Sequence, residues 1–286
     1  MENLEKLVEL VKTLPENVAE AAGALVEQMG TVVEGIGDEP IRYRPETVKL
    51  VQGTSDRTKL PKGAGIGSMI IGENILENPT NVIPLRSWVT RQMWDPNPEN
   101  SRMLCSSQDG EVGYAHGNCR TCQYSKFDEA ENRSACNKSI TVLFILADLS
   151  ALSFINFSKT NYSNGTDWVS LMKRASVAPY KRIYGLNAET SSKSKNVEII
   201  KISSEGKVAE ELIPFLEELY KQVSEDRKAS LQRYYEYIET RKNSAPELSA
   251  PSEEGTLLIA AEEEIPSTVE VQEADPSQAT RKSYKL

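Results

Sequence analysis

Four cysteines carry the most specific chemistry in this 286-residue chain. Cys105, Cys119, Cys122 and Cys136 follow the spacing C-x13-C-x2-C-x13-C, and the chain has no other cysteine. A central C-x2-C pair forms a tight knuckle, and one cysteine on each side completes a set of four thiolates, which suits a tetrahedral Zn²⁺ site. Because four thiolates leave no open coordination position, the spacing predicts a structural zinc ion rather than a catalytic one.

His116, the only histidine, lies three positions before Cys119. Imidazole and thiolate both suit zinc, so His116 could replace one cysteine, most easily Cys105. As a general base it lacks an accompanying nucleophile motif, and no H-x-E or H-E-x-x-H arrangement surrounds it. The sequence therefore disfavours a metal-dependent hydrolase and predicts a protein that is not an enzyme.

Composition indicates a folded core, since 39% of the residues are apolar and 26% are charged. No apolar run reaches the ~18 residues of a membrane-spanning helix, and the N-terminal segment lacks the basic and apolar blocks of a signal peptide. We therefore expect a cytoplasmic protein without a membrane partner. In that reducing compartment the cysteines are expected to be metal ligands or singly buried thiols rather than disulfides.

Hydrophobic periodicity divides the chain into four regions. Residues 1–40 predict two short helices, and residues 41–205 predict strands with one helix and the cysteine loop, 103–138, inserted between strands. Residues 206–242 predict a long amphipathic helix, whereas residues 243–286 are rich in Pro, Ser, Ala and Glu and predict a disordered acidic tail. About five strands with one helix and a long inserted loop favour the α+β class and a small OB-like antiparallel barrel.

The predicted strand that begins near Asn81 alternates in character. The alternation places one apolar set, Leu85, Val89 and Met93, opposite a set that combines a cation with two indoles, Arg86, Trp88, Thr90 and Trp94.

Charge is distributed unevenly along the chain, whose net charge is −9. Residues 133–202 contain ten basic and four acidic side chains, whereas residues 243–276 contain nine acidic side chains and no basic one. The last ten residues add Arg281, Lys282 and Lys285. This pattern is typical of a cationic groove for nucleic acid together with an acidic tail that competes for it or recruits partner proteins, although a solvated surface with a solubility tail explains the charge equally well.

Aromatic side chains near the cations strengthen the nucleic-acid interpretation, because bases of single strands stack on aromatic faces beside basic grooves. Each of these aromatic residues could instead fill a core. The candidate contacts are Arg86, Trp88, Arg91, Trp94, Arg120, Tyr124, Lys126, Lys159, Tyr180, Lys181 and Arg182.

The run MLCSSQDGEVGYAHGNCRTCQYSKF, followed by SACNKSITVLFIL and LSFINFSKTNYSNGTDWVSLMKRA, resembles phage-encoded zinc-containing single-stranded DNA-binding and replication-associated proteins. The resemblance covers roughly residues 60–205. The plan of a zinc-bearing OB core and an acidic tail is also similar to helix-destabilising proteins of T-even phages, whose metal set includes a histidine. The even spacing of four cysteines departs from that set and leaves the role of His116 open.

The resemblance implies a protein that coats single strands in phage replication, recombination or transcription, as a homo-oligomer on DNA in the host cytoplasm. A different class of function stays open beside it. A zinc-containing interaction factor would use the cysteine loop, the long helix and the acidic tail to bind an RNA polymerase or a replication protein.

Overall fold

The computed structural model describes residues 2–30, 45–96, 102–127, 134–192 and 197–244. Residues 1–244 belong to one compact unit, so the predicted N-terminal helices, strand region and long helix are parts of one body. From residue 245 onward the predicted disordered tail lies outside the described residues. Among the residues that are described, no helix combines the length and the apolar character needed to cross a bilayer.

The described residues contain both helices and strands, which confirms the predicted α+β class. The α-helices are α1 (Glu2–Val11), α2 (Glu16–Gly30), α3 (Tyr162–Arg174) and α4 (Ile213–Ser244). The strands are β1 (Glu46–Thr47), β2 (Lys49–Leu50), β3 (Met69–Ile71), β4 (Asn74–Ile75), β5 (Thr80–Trp94), β6 (Met103–Ser107), β7 (Val112–Gly113), β8 (Gly117–Asn118), β9 (Cys136–Leu146), β10 (Leu152–Ser158), β11 (Arg182–Thr190) and β12 (Glu198–Lys207). Short 3-10 helices span Arg57–Lys59, Gln123–Ser125, Lys159–Asn161, Pro179–Lys181 and Glu210–Leu212.

The long strand β5 organises the main sheet. Seven strands form this sheet in the order β1-β10-β9-β5-β11-β12, and β6 pairs with the last residues of β5. All of its pairs are antiparallel except that of β1 with β10. Two smaller sheets contain β2-β3-β4 and β7-β8. The connection from β5 to β9 contains the cysteines, as the sequence predicts.

Strand β9 is apolar on both faces because each face contacts a separate core. Ile140, Val142 and Phe144 point into a core that α3 closes with the fully buried Trp168. Leu143 and Ile145 point to the other face, where α1, α2 and α4 cover the sheet. Successive side chains of a strand alternate between faces, so a strand between two apolar layers reads as a continuous apolar run. Strand β9 is therefore a buried strand between β10 and β5.

A β-bulge changes the predicted alternation of β5. The register shifts between Pro84 and Arg86, so Leu85 has no partner on β9. Leu85 packs in the helix-facing core, whereas Val89 lies opposite Ile140, whose side chain points into the other core. The prediction that Leu85 shares a face with Val89 and Met93 is therefore wrong, because an inserted residue reverses the alternation that follows it.

The predicted OB-like barrel is not closed in the described part of the chain, where the main sheet ends at β1 and β12. The outer edge of β12 bonds to side-chain amides instead of a strand. The Gln52 amide accepts from Glu198 N and donates to Glu198 O, each at 2.9 Å, and Asn161 Oδ1 accepts from Ile200 N at 2.9 Å. These amides satisfy the edge groups that would otherwise require a pairing strand.

The long C-terminal helix starts later than predicted. Strand β12 continues to Lys207, and α4 begins at Ile213 with Pro214 in its first turn. Proline is tolerated there because the first-turn N–H groups have no partner within the helix. The helix covers β5, contacts the N-terminal helices through an ion pair between Lys6 and Glu218, and continues to the cysteine loop.

Candidate metal centre and nucleic-acid interface

The strand register and one short turn bring the predicted metal ligands together. Cys105 on β6 and Cys136 at the start of β9 both pair with Met93 of β5, one on each side of it. Cys119 and Cys122 follow β8 on the knuckle. Since Met93 and all four cysteines line one cavity, the knuckle lies over the face on which the two strand cysteines stand.

The size and lining of this cavity fit a single metal ion. Its volume is about 10 Å³, and His116 lines it beside the cysteines. A site of that size holds about one water-sized sphere. Gly113 also borders the cavity, and a Cβ at this position would lie 2.8 Å from Cys105 Sγ. Soft sulfur donors around so small a space suit Zn²⁺.

In the described part of the chain these side chains line one cavity, but they do not form a complete set of metal ligands. Within the described ranges, no three His, Cys, Asp or Glu side chains stand in the arrangement of a metal centre. All four cysteines are free thiols. Zinc therefore stays a prediction, supported by the donor type, the common cavity and the absence of room for a side chain at Gly113.

Against the effect of burial, Arg91 lowers the pKa of two cysteine thiols that line this cavity. Burial raises the pKa of the Cys119 and Cys136 thiols, because leaving water disfavours the thiolate. The Arg91 guanidinium acts against this on both thiols. Its Nε also donates to Gly110 O at 3.1 Å, which fixes the loop to β5. Arg91 is a predicted DNA contact, and the structure places it at the cysteine cavity.

His116 lies beside Tyr124 on the wall of the cavity. Their ring centroids are 4.8 Å apart and the planes are tilted by 42°. Because both rings line the cavity, the structure keeps His116 available as an alternative to one thiolate.

Asp109 anchors α4 to the cysteine loop, a role that sequence reasoning missed. One carboxylate oxygen accepts from Ser107 Oγ at 2.7 Å and from the backbone N of Glu111 and Val112 at 2.8 and 2.9 Å. The other oxygen accepts from the Tyr235 hydroxyl on α4. Burial raises the pKa of Asp109, but these hydrogen bonds outweigh it and lower the pKa to about 2. The same bond raises the pKa of Tyr235 to about 12.

Two further residues of α4 bind the loop backbone. Tyr234 is 8% exposed, and its hydroxyl donates to a pair of carbonyl oxygens, Ser106 O at 2.8 Å and Val112 O at 2.7 Å. Arg227 donates to the side chain of Gln108 at 3.2 Å and to the Gln108 carbonyl. The second half of α4, from Arg227 to Tyr235, is thus bound across the cysteine loop, and we call it the strap.

The same strap covers two of the predicted DNA contacts. The Arg227 guanidinium lies 4.7 Å from the ring centroid of Trp88, which is half-buried against the helix-facing core. Arg86 donates to Ser224 O at 3.4 Å. Alternation along β5 groups both residues on one face, but it contains no information about which helix packs on that face.

Three aromatic side chains at the cysteine-loop end of β5 stay exposed. Trp94 is 45% exposed, Tyr124 is 37% exposed and Phe127 is 63% exposed. The predicted contacts Lys126 and Arg120 are exposed there as well, although Arg120 forms an ion pair with a glutamate. Phe127 was not predicted, and its only sequence signal is an apolar ring within the polar segment QYSKFDE.

A polar face across three neighbouring strands was also not predicted. Thr141 Oγ1 donates to Asn156 Oδ1 at 2.6 Å on this face, which adjoins the end of the sheet that carries Met93 and Cys136. The register aligns an inner row of side chains, Trp88, Thr141 and Asn156, with an outer row nearer the cysteine loop, Thr90, Ser139 and Ser158. Thr141 is 3% exposed and Arg227 covers Trp88, so the accessible part of this face is the outer row together with Asn156.

The remaining predicted contacts separate into two places. Lys159 is exposed directly after Ser158, so it borders the polar face. Tyr180 is 7% exposed, and its ring centroid lies 5.3 Å from that of Tyr220 in the helix-facing core. Its ring is therefore not available to a base in this arrangement. The exposed Lys181 and the half-buried Arg182 flank Tyr180.

The geometry defines a polar sheet face bordered by a cysteine loop with exposed aromatic and basic side chains. No protein-family model, curated protein or solved structure matches the chain. The functional argument consequently depends on the residues and their arrangement.

Proposed function

We propose that the protein binds single-stranded DNA with little sequence preference and without catalysis, and that Zn²⁺ held by the cysteine loop shapes part of the binding surface. The observation that carries the proposal is the exposure of Trp94, Tyr124 and Phe127, together with Lys126, at the end of the sheet that carries the cysteine loop. Exposed rings next to cations provide the stacking faces and phosphate contacts that single strands need.

The order of the strands supports an OB-like interpretation of the sheet. Numbered among themselves in chain order, β5, β9, β10, β11 and β12 stand in the spatial order 3-2-1-4-5, and α3 follows the third strand. An OB-fold is a five-stranded, partly open Greek-key barrel. In this interpretation the segment from β1 to Gln52 and the Asn161 amide occupy the gap between the third and fifth strands.

The same interpretation assigns the ligand surface. OB-folds bind oligonucleotides on the face of strands 2 and 3 and with the loops that join strands 1 to 2 and 4 to 5. Here these strands are β9 and β10, which carry the polar face, and the first of these loops contains the cysteines. The second loop joins β11 to β12 and includes Lys193 and Lys195, which lie outside the described residues.

In this proposal the side chains have three different roles: base stacking, phosphate binding and metal binding. The rings of Trp94, Tyr124 and Phe127 offer faces to successive bases, and stacking is worth about 1–3 kcal/mol per base. Lys126 on the cysteine loop and Lys159 directly after β10 supply phosphate contacts at the border of the polar face. The cysteines would hold Zn²⁺, with His116 as the alternative ligand, and the ion would fix a polar loop that has little apolar core of its own.

A binding titration tests the proposal. Fluorescence anisotropy of a labelled oligo-dT strand and of the corresponding duplex would be measured across a salt series. We expect tight binding of the single strand, much weaker binding of the duplex, and an affinity that falls steeply with salt as counterions are released. Absence of binding to both forms would reject the proposal and favour the protein-interaction factor, which capture of an RNA polymerase without nucleic acid would then support.

A further inference from the structure

A cleft of about 440 Å³ opens between the second half of α4 and the cysteine loop. Tyr114 and Gln108 line it from the loop, and Arg233, Tyr234 and Tyr237 line it from the helix. The volume is within the ~300–1,000 Å³ range of small-molecule sites. The cleft is separate from the cysteine cavity, and the proposed strand-binding face does not include it.

The two tyrosine rings of the cleft, Tyr114 and Tyr237, differ in how firmly the surrounding residues hold them. Tyr114 donates its hydroxyl proton to Met103 O at 3.0 Å, and the Arg241 guanidinium lies 5.3 Å from its ring centroid. Tyr237 is 54% exposed, so most of its ring is open to solvent. One fixed ring and one accessible ring, on opposite walls, provide a place where a planar base can stack.

The charge of the cleft is positive. Arg233 and Arg241 stand two helical turns apart on α4, on either side of Tyr237. Neither forms a salt bridge with a carboxylate of the described residues. The described residues that line the cleft include no carboxylate, and the nearby Asp109 is already bonded to Tyr235 and the loop. Among the residues that the structure describes, the Arg233 guanidinium has no carboxylate partner, so it can bind an anion.

A single residue, Met103, connects the cleft to the exposed Trp94. Trp94 pairs with Met103 across β5 and β6, and the Met103 carbonyl is the acceptor of Tyr114. A strand that stacks on Trp94 can therefore reach the cleft wall within a short span of backbone.

We propose that this cleft binds one nucleotide of a single DNA strand, with its base against Tyr114 and Tyr237 and its phosphate at Arg233. The inference rests on the proposed single-strand binding and adds a second contact region outside the strand face. Arg241 contacts the Tyr114 ring and donates to the Tyr237 hydroxyl at 3.5 Å, which leaves Arg233 as the cleft guanidinium without a carboxylate partner among the described residues. Aromatic rings combined with such a guanidinium favour a nucleotide over an acidic peptide, which would use the charge but leave the rings without a partner.

The test uses oligo-dT strands of about 4 to 16 nucleotides, the range of site sizes for one OB domain. Affinities of the full-length protein would be compared with those of Arg233→Ala and Tyr237→Ala. The control is Lys228→Ala, which removes an exposed cation from the same helix but does not line the cleft. Because all three side chains are exposed, thermal melting is expected to stay the same for each variant.

We expect both cleft variants to lose about 5- to 10-fold in affinity for the longest strand, with little change for the shortest, and Lys228→Ala to change it by less than about 2-fold. If the wild-type protein binds the strands but both cleft variants match Lys228→Ala at every length, the cleft proposal is wrong and the proposed function stands. If the wild-type protein binds no strand of any length, both proposals are wrong.

Discussion

Asp109 shows how one side chain connects two distant parts of the chain. Its carboxylate joins the turn after β6 to Tyr235, which is 126 residues away in sequence. Nothing at Asp109 marks it for this role in the sequence, since aspartate in the segment SSQDGE is typical of a solvent-exposed turn. In the structure the partner is Tyr235 of α4, and the hydrogen bonds to Asp109 stabilise its charged carboxylate in the folded state.

Replacing Asp109 tests that role through pH. The folded-state pKa of about 2 lies below the ordinary value of 3.8, so the carboxylate stabilises the fold above about pH 4 and loses this effect as the pH falls from about 4 to about 2. We expect Asp109→Asn to lower the free energy of unfolding by about 1–2 kcal/mol at pH 7, allowing for partial solvent screening. The difference should nearly vanish at about pH 2.

Urea denaturation at both pH values measures this difference. Asp226→Asn, which changes an exposed carboxylate on α4, is the control and should leave stability almost unchanged. Equal stability of the Asp109 variant and the wild-type protein at pH 7 would contradict the anchoring role.

At the scale of elements, α4 has two functions along its length. Its first half closes the helix-facing core through Phe215, Leu216 and Leu219, which are nearly or fully buried. Its second half holds the cysteine loop through Arg227, Tyr234 and Tyr235. Periodicity predicts the helix and its tyrosine-rich stripe, but not the surface on which each half packs.

Tyr234→Phe tests the strap directly. The change keeps the ring but removes the proton that Ser106 O and Val112 O share, so two partly buried carbonyl groups lose their side-chain donor. We expect a loss of about 1–2 kcal/mol in the free energy of unfolding, measured by urea denaturation. Tyr237→Phe alters an exposed ring on the same helix and should cost much less. Similar losses in the two variants would mean that the Tyr234 contact is not structural.

The elements that sequence analysis predicted well are those with strong local signals. The two N-terminal helices, the strand that begins near Asn81 and the long amphipathic helix all appear in the structure. The bulge at Leu85 and the covering of Trp88 by Arg227 have no local signal, because they depend on residues distant in sequence. The cysteine spacing predicts a zinc site, and the structure places the four cysteines around one cavity, whereas the polar strand face becomes visible only with the strand register.

In the molecule as a whole, the C-terminal segment differs from the rest of the chain in its high content of acidic side chains. Residues 247–275 contain all nine acidic side chains counted between positions 243 and 276. Under the proposed function, a polyanionic segment in the same chain is expected to compete with DNA for cationic surface at a high effective concentration. This competition follows from the sequence and the proposed function together.

Deleting residues 245–286 removes the acidic segment and keeps all of α4. We expect single-strand affinity to rise several-fold at low salt, and the gain to shrink as salt screens the competition. A tail of equal length made of Gly and Ser, attached after Ser244, should behave like the deletion. An affinity identical to that of the full-length protein, measured by anisotropy at low salt, would instead assign the tail to partner binding or solubility.

The central claim is that a zinc-bound cysteine loop forms part of a single-strand binding surface. The most direct measurement determines the zinc content per chain and the affinity for oligo-dT in the same sample, before metal removal by a chelator, after it, and after zinc is added back. We expect about one zinc ion per chain, a loss of at least about 10-fold in affinity on removal, and recovery with added zinc. A protein without zinc, or one that binds oligo-dT equally well after zinc has been removed, would contradict it.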